Sequence, residues 1–219
     1  MGWSAPTSGN IRKSRTDTGN VVMKGPLPKA ALDQLFGQAR TYNAYLDNPV
    51  GEAHLHTIWT LMRMGPTSYN MLPARLVWCM SPSAKAKLAT LASGSNGRKI
   101  LAAPVSVIIG MDLDFHERLP ELFPHSPAVR GYFSDIEIRR EAALRNSSLQ
   151  GGYFIMAARA MGLDTGPMSG FDNAAVDCAF FADTPRVKSN FISTVGYGDP
   201  KSLTTRPPRP AFEVCNRVE

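Results

Sequence analysis

Residues 135–161 sustain helical character longer than any other part of the chain, with no proline among them, and Gly162 stands where such a helix has to stop. Around that helix the chain must arrange several short apolar runs of β-favouring residues. Residues 75–80 form one, residues 104–111 (PVSVIIGM) a stronger one, and residues 191–197 the last. The first two read as buried strands flanking a helix that starts at Ser81-Pro82. Upstream, Ala31, Leu32, Leu35 and Phe36 recur at helical spacing, and residues 52–64 predict a second helix with Leu55, Ile58, Trp59 and Met62 inward. Residues 172–181 read as a helix opened by an Asp or Asn cap. Helices and strands therefore mix in an α+β order, with Pro-rich breaks at 120–127 and 207–210 and no internal repeat.

A chain of 219 residues, 43% of them hydrophobic, has material for one compact core, and a second would be cramped. Residues 1–25 lack periodicity and are rich in Ser, Thr, Gly and Asn, so they are expected to be a disordered or loosely packed extension. Residues 26–219 are expected to form a single domain whose tail after Pro210 packs on a partner subunit. No apolar run approaches the roughly 20 residues of a membrane-spanning helix. The N-terminal stretch has no apolar segment followed by a small-residue cleavage site, which predicts a cytoplasmic protein without membrane association. Cys79, Cys178 and Cys215 are odd in number and far apart, against both a disulfide framework and a structural zinc site.

The net charge of +6 raises the question of nucleic acid. The surplus sits at the two ends, Arg12, Lys13, Arg15 and Lys24 in one and Arg186, Lys188, Lys201, Arg206, Arg209 and Arg217 in the other. No interleaved aromatic and basic motif accompanies it, so no nucleic-acid partner is expected, and a phosphate-bearing small ligand accounts for the surplus as well.

Four segments combine backbone-permissive residues with polar groups near predicted element ends. They are Arg40-Thr41-Tyr42-Asn43, residues 65–73 (GPTSYNMLP), Asn96-Gly97-Arg98-Lys99 and residues 166–172 (GPMSGFD). Each has an ordinary structural explanation. Arg40 can complement a helix C-terminus, residues 65–73 a helix end and loop, Asn96 to Lys99 a polar turn with a surface lysine, and residues 166–172 a turn into the next helix cap.

In this order, however, the segments resemble the nitroreductase family, whose members bind FMN between two subunits of an α+β dimer. The resemblance extends over about residues 32–212, through GPTSYNMLPAR, ERLPELFPH, RNSSLQ, GLDTGPMSGFD and GYGD. It is closest to the malonic semialdehyde reductase branch. It implies a central, mostly antiparallel sheet flanked by helices in an intertwined homodimer, with FMN at the subunit interface and NADH or NADPH as a transient electron donor. It makes Arg40 and Arg206 the ligands of the FMN phosphate, flanked by Thr41, Tyr42 and Asn43, with Arg209 standing in for a second cation where the chain has Ala44. Ser68, Asn70 and Leu72 reach the flavin from the other subunit. Asn96 and Lys99 face the polar edge of the isoalloxazine, where Lys99 acts electrostatically, and Pro167, Met168, Ser169 and Gly170 lie along the ring. The chain departs from the family pattern at Ala44, Leu72, Ala74 and Ser169.

No side chain is expected to be a covalent catalyst. His54 and His56 point apart on a helix, His116 and His125 lack a partnering carboxylate pattern, and neither a G-x-S-x-G elbow nor G-x-G-x-x-G is present. The expected activity is ping-pong hydride transfer from NAD(P)H through FMN to a small acceptor. That acceptor is a semialdehyde such as 3-oxopropanoate, reduced to 3-hydroxypropanoate with Arg75 holding its carboxylate, or a nitroaromatic compound. Phe123 and Phe133, with Tyr132, are candidates for the substrate channel. The alternatives are a nitroaromatic or quinone reductase of broad specificity, and a flavin-binding sensor with little turnover.

Overall fold

The computed structural model describes residues 25–219, and the extension expected at 1–25 lies, apart from Gly25, outside them. Helices α1 (Lys29–Leu32), α2 (Glu52–Met62), α3 (Pro82–Thr90), α4 (Asn96–Ala102), α5 (Leu119–Leu122), α6 (Ile136–Ala160), α7 (Asn173–Phe180) and α8 (Phe212–Cys215) surround one sheet. Its strands β1 (Ala74–Cys79), β2 (Val105–Asp112), β3 (Asp164–Met168) and β4 (Val187–Gly196) are ordered β1-β2-β4-β3 and pair antiparallel throughout.

The continuous apolar run of β2 is explained by burial on both faces. Val105, Val107 and Ile109 pack with Ile58, Met62 and Phe154 beneath α2 and α6, while Ile108 on the opposite face packs with Leu88, Ile100 and Val176 from α3, α4 and α7. A third cluster of Met71, Phe115, Leu119, Val129, Phe133 and Ala143 fills the end of the molecule under the 65–73 loop. The helix starts expected at Ser81 and Asp172 are capped there, the Ser81 hydroxyl accepting from Ala84 N–H and Asp172 from Ala175, and Asp135 caps α6 by accepting from Glu137. His54 has a local duty as well, its Nδ1 accepting the Gly51 N–H at 3.2 Å to close the start of α2.

Four expectations need correction. Residues 166–168, expected to belong to a turn into the next helix cap, lie in β3; Pro167 is tolerated because β3 is an edge strand, where a missing N–H costs no ladder bond. Asn96 and Lys99, expected in a polar turn, occupy the first turns of α4. Strand β4 starts four residues earlier than 191, at Val187, through a bulge opposite Ile109 and Gly110 that frees Asn190 to donate to the hydroxyls of Ser147 and Ser148. Trp59, expected inward, is 38% exposed, because the buried stripe of α2 runs through Leu55, Ile58 and Met62 and leaves Trp59 on its flank. Leu32 and Phe36 are likewise exposed in the single chain.

Helix α6 carries polar side chains into the interior. Asn146, Ser147 and Gln150 are buried, and the Gln150 Oε1 accepts the Ala74 N–H at 2.8 Å. Gln150→Leu should cost about 1–3 kcal/mol, because it strands a buried N–H at the start of β1. Chemical denaturation would read this as a lower midpoint at unchanged slope; an unchanged midpoint would mean that water satisfies Ala74 instead.

Candidate functional site

The segment 37–46 has no core of its own and is docked edge-on to β3 and the end of β4. Thr41 bridges Thr165 in parallel, Tyr45 bridges Gly198, Leu46 N–H donates to Tyr197 O, and Asp199 N–H donates to Ala44 O. The Tyr45 hydroxyl lies 2.6 Å from the Thr194 hydroxyl. Two glycines make the approach possible. A Cβ on Gly198 would lie 2.3 Å from the Tyr42 ring, and one on Gly166 would lie 2.4 Å from Thr194 Oγ1 and 2.9 Å from Tyr42 O.

This docking gathers arginines. Arg40, Arg206 and Arg209 border a pocket of about 290 Å³ together with Thr41 and Asn43, and the pocket's remaining cation is Arg159 from the last turn of α6. Each guanidinium also binds backbone carbonyls. Arg40 donates to Thr204 O at 2.6 Å, Arg206 to Gly37 O and Ala39 O at 3.0 Å each, Arg159 to Leu35 O at 2.9 Å, and Arg209 to Pro207 O and Pro208 O at 3.3 Å each. Among the described residues, none of the four is ion-paired to a carboxylate. Burial, then the neighbouring Arg206, lower the Arg159 pKa, with Asp164 opposing. Asp164 itself is raised, chiefly by burial, against the Gly198 N–H and Arg159. Burial, then Asp164, raise the Tyr42 hydroxyl. A pocket bordered by four guanidiniums outside any ion pair among the described residues, with Asp164 offsetting part of the charge of Arg159, suits an anion, and their planar forks match the oxygens of a phosphate or carboxylate. Sequence reasoning did not single out Arg159; the signal available was one arginine in the otherwise apolar turn IMAARAM.

From the pocket, β3 leads along the sheet's free edge to Pro167 and Ser169, both exposed. Ser93 N–H and Asn96 Nδ2 donate to Gly170 O at 2.9 and 3.0 Å, and Ala92 bridges Phe171, so residues 168–171 are fastened to the start of α4, where Lys99 is half-buried. Arg40, Thr41, Asn43, Arg206 and Arg209 are thus brought together, Tyr42 turns its ring onto Gly198, and Asn96 is joined to Gly170 at the end of a second group, Pro167 to Gly170, further along the same edge, with Lys99 one turn further into α4.

Ser68, Asn70 and Leu72 lie elsewhere in the chain. Ser68 N–H donates to Asn146 Oδ1 at 2.8 Å and Asn70 Nδ2 to Leu122 O at 3.0 Å. From Asn146 to Arg159, thirteen residues of α6 separate this loop from the arginine pocket, about 20 Å at 1.5 Å per residue. Asn70 and Leu72 border a cavity of about 820 Å³ walled by Trp59, Trp78, Met64 and Arg63. Arg75 also borders it, with its guanidinium engaged by Asp112 at 2.6 Å and by Leu72 O and Ala74 O. Phe123 is half-buried with its ring edge-on to Tyr69 at 5.5 Å, while Phe133 is 6% exposed and packs on Phe115 in the core; Tyr132 is exposed.

A charged clasp holds the segment carrying Phe123. Asp114 pairs with Arg139 and Arg186, Glu117 with Arg130, and the buried His116 places Nε2 3.2 Å from Arg139 Nη1. Burial first, then Arg139, push the His116 pKa below its ordinary 6.5, outweighing Glu117 and Asp114. The folded state therefore takes up this proton less readily than the unfolded one. The stability His116 contributes is full above about 6.5 and is lost as the pH falls from there through the lowered folded value. Denaturation midpoints measured between pH 7 and 5 should fall more steeply for the native chain than for His116→Gln; parallel curves would remove His116 from the acid response.

Comparison with known proteins gives a consistent set of matches. A model of the nitroreductase family matches residues 37–197. A protein of Caulobacter sp. (strain K31), provisionally named NADH dehydrogenase/NAD(P)H nitroreductase, is 57% identical over 192 residues, covering 88% of this chain and 98% of the relative. A similarly named protein of Stenotrophomonas maltophilia (strain K279a) is 56% identical over 196 residues, 90% of this chain and 100% of the relative. Among solved structures, a provisionally named nitroreductase of Bacillus subtilis superposes with TM-score 0.77 at 20% identity, covering 87% of this chain and 99% of that one. One from Exiguobacterium sibiricum 255-15, solved in complex with FMN, superposes with TM-score 0.76 at 18% identity, covering 84% and 96%. At those identities the solved structures establish likeness of fold.

Proposed function

The chain belongs to the nitroreductase family, and from that premise we propose that it is an FMN-dependent oxidoreductase that takes hydride from NADH or NADPH and delivers it to a small acceptor. The observation that carries this reading is the pocket bordered by four arginines, none of them ion-paired to a carboxylate among the described residues, at one end of an open sheet edge. That donor set fits a dianionic phosphate monoester. Arg40 and Arg206 hold the phosphate, Arg209 adds a third charge from the tail, and Thr41, Tyr42 and Asn43 line the approach. Pro167, Met168, Ser169 and Gly170 lie along the ring, held in place by Asn96. Lys99 offers a positive charge to the ring's polar edge, which favours the electron-rich state. Bound FMN would supply the centre that accepts and returns a hydride. The nicotinamide donor and the acceptor then use one docking place in turn, which is ping-pong kinetics.

Ser68, Asn70 and Leu72 take part only if a second copy brings its 65–73 loop to the ring, so the reading includes a homodimer. It is supported by the apolar side chains Met64, Leu149, Tyr153 and Phe212, exposed in the single chain, and by the tail, exposed from Thr204 onward. Among the described residues no helix is long and apolar enough to cross a membrane. We assign the protein to the cytoplasm, where the nicotinamide donors are, with small molecules as its substrates.

For the acceptor, the engagement of Arg75 by Asp112 favours a flat, electron-poor ring such as a nitroaromatic or quinone. Reduction of 3-oxopropanoate is the second reading, and it requires Arg75 to leave Asp112 and hold the carboxylate.

Purified protein should show a flavin absorption spectrum, native or after reconstitution with FMN, that bleaches anaerobically with NADH or NADPH and returns with an acceptor. Faster return with a nitroaromatic than with 3-oxopropanoate selects the first reading, and the reverse order selects the second. A protein that cannot be reconstituted with FMN would end both. Changing Arg40 and Arg206 together to Ala should weaken FMN binding by about 3–6 kcal/mol, at roughly 1.5–3 kcal/mol per charge-assisted bond. Equilibrium titration would show it, and undiminished affinity would remove these two residues from the phosphate site.

A further inference from the structure

We propose that Arg159 is the rigid fourth cation of the arginine pocket and makes the site discriminate phosphorylated flavin from the unphosphorylated form. The inference rests on the reading of the site as an FMN site and deepens it.

The four guanidiniums are mounted differently. Arg206 and Arg209 are exposed and belong to a proline-rich tail with little packing, and Arg209 donates only to carbonyls one and two residues away. Arg40 sits on the docked segment and reaches across to Thr204 O. Arg159 alone among them is carried by a long helix of the core, directly after the buried Ala157 and Ala158. One nitrogen, Nη1, is fixed by Leu35 O at 2.9 Å, and among the described residues no other atom of its guanidinium has a hydrogen-bonding partner. The side chain is half-buried and lines the pocket, so the unused face of its fork is available there. A residue at the end of a helix that served only to complement the macrodipole would point along the axis into solvent. Arg159 instead donates to Leu35 O, with Asp164 attracting it and Arg206 repelling it, and an anion shared by the two arginines relieves that repulsion. Because a donor held by the helix loses little further freedom on binding, its contribution is greater than that of an equal charge on the tail.

The discrimination follows from chemistry. Riboflavin ends in a neutral hydroxyl where FMN ends in a dianionic phosphate, so a loss confined to the phosphate pocket weakens FMN and leaves riboflavin as it was.

Flavin fluorescence titrations on the full chain with FMN and with riboflavin, at low and high salt, would test this with Arg159→Met and Arg159→Lys. The Met variant keeps most of the stem and loses the charge. It should weaken FMN about 10- to 100-fold, the range of one charge-assisted bond, flatten the salt dependence and change riboflavin affinity less than twofold. The Lys variant should recover part of the loss, since it restores the charge without the fork. Equal weakening of FMN and riboflavin would overturn the proposal, because Arg159 would then serve only to hold the segment around Leu35; unchanged FMN affinity would overturn it directly. A separate arm follows the melting temperature of the flavin-free protein with inorganic phosphate. Stabilisation by phosphate that depends on Arg159, in a native chain that does not bind FMN, would uphold the anion site and sink the flavin reading. Phosphate stabilisation undiminished in the Met variant would overturn Arg159's role even if FMN binds.

Discussion

The buried polar stripe of α6 is the constraint on which the site depends. A core helix usually shows only apolar residues to its neighbours, because an unpaired polar group in the interior costs more than a hydrogen bond returns. Here Asn146 meets that cost at both ends of its amide, accepting the Ser68 N–H and donating to Ala142 O, while Gln150 meets it at Oε1 alone, which accepts the Ala74 N–H at the start of β1. The loop between them is strained. Tyr69, Asn70 and Leu72 have φ of 50, 52 and 40°, the left-handed region that costs an L residue roughly 1–2 kcal/mol. Thr67 adds a further tie by accepting the Leu72 N–H. The conformation of residues 68–72 is therefore imposed from α6 and not chosen by its own sequence.

The same helix sets the distance between the two functional regions. Its middle fixes the 65–73 loop and its last turn delivers Arg159, with Gln34 Nε2 donating back to Arg159 O to tie the segment before the pocket to the helix end. The sheet supplies the other coordinate. Since β2 and β4 are central, their faces are consumed by the cores, and what remains for a ligand is an edge. Proline in β3 blunts that edge as a template for another strand while keeping it open to a flat molecule.

The sequence made the core elements legible because burial there matches periodicity. Residues 104–111 are apolar without alternation since both faces are covered, and residues 135–161 end within a residue or two of α6 because Asp135 caps one end and Gly162, with φ of 74°, the other. Strand β3 and helix α4 were illegible for opposite reasons. Asp164-Thr165-Gly166-Pro167-Met168 carries two strand breakers, and only its edge position and the approach of Tyr42 and Thr194 to Gly166 explain them. Helix α4 begins with Asn-Gly, a turn signal, and is held by Ile100 in the core and by tertiary bonds to Gly170. Of the site, Arg40, Arg206 and Arg209 were found through resemblance to a family pattern, whereas Arg159 needed the three-dimensional view, because its neighbours in the pocket are more than a hundred residues away in one direction and about fifty in the other.

The arginine pocket joins structure to ligand in one set of bonds. Segments 35–41 and 204–209 have almost no buried apolar contact, and what ties them together is guanidinium to carbonyl, Arg40 to Thr204 and Arg206 to Gly37 and Ala39, while Arg159 ties the first of them to α6 through Leu35. Each such bond stabilises by about 1 kcal/mol or somewhat more, while bringing cations together costs part of that gain through repulsion. An anion in their midst reverses the sign of the electrostatic term without disturbing the carbonyl bonds. Whatever binds there must then order these two segments, and by linkage whatever orders them must tighten binding. The segments that shape the pocket are thus completed by its occupant, while α6 and the sheet hold the remaining geometry in place beforehand.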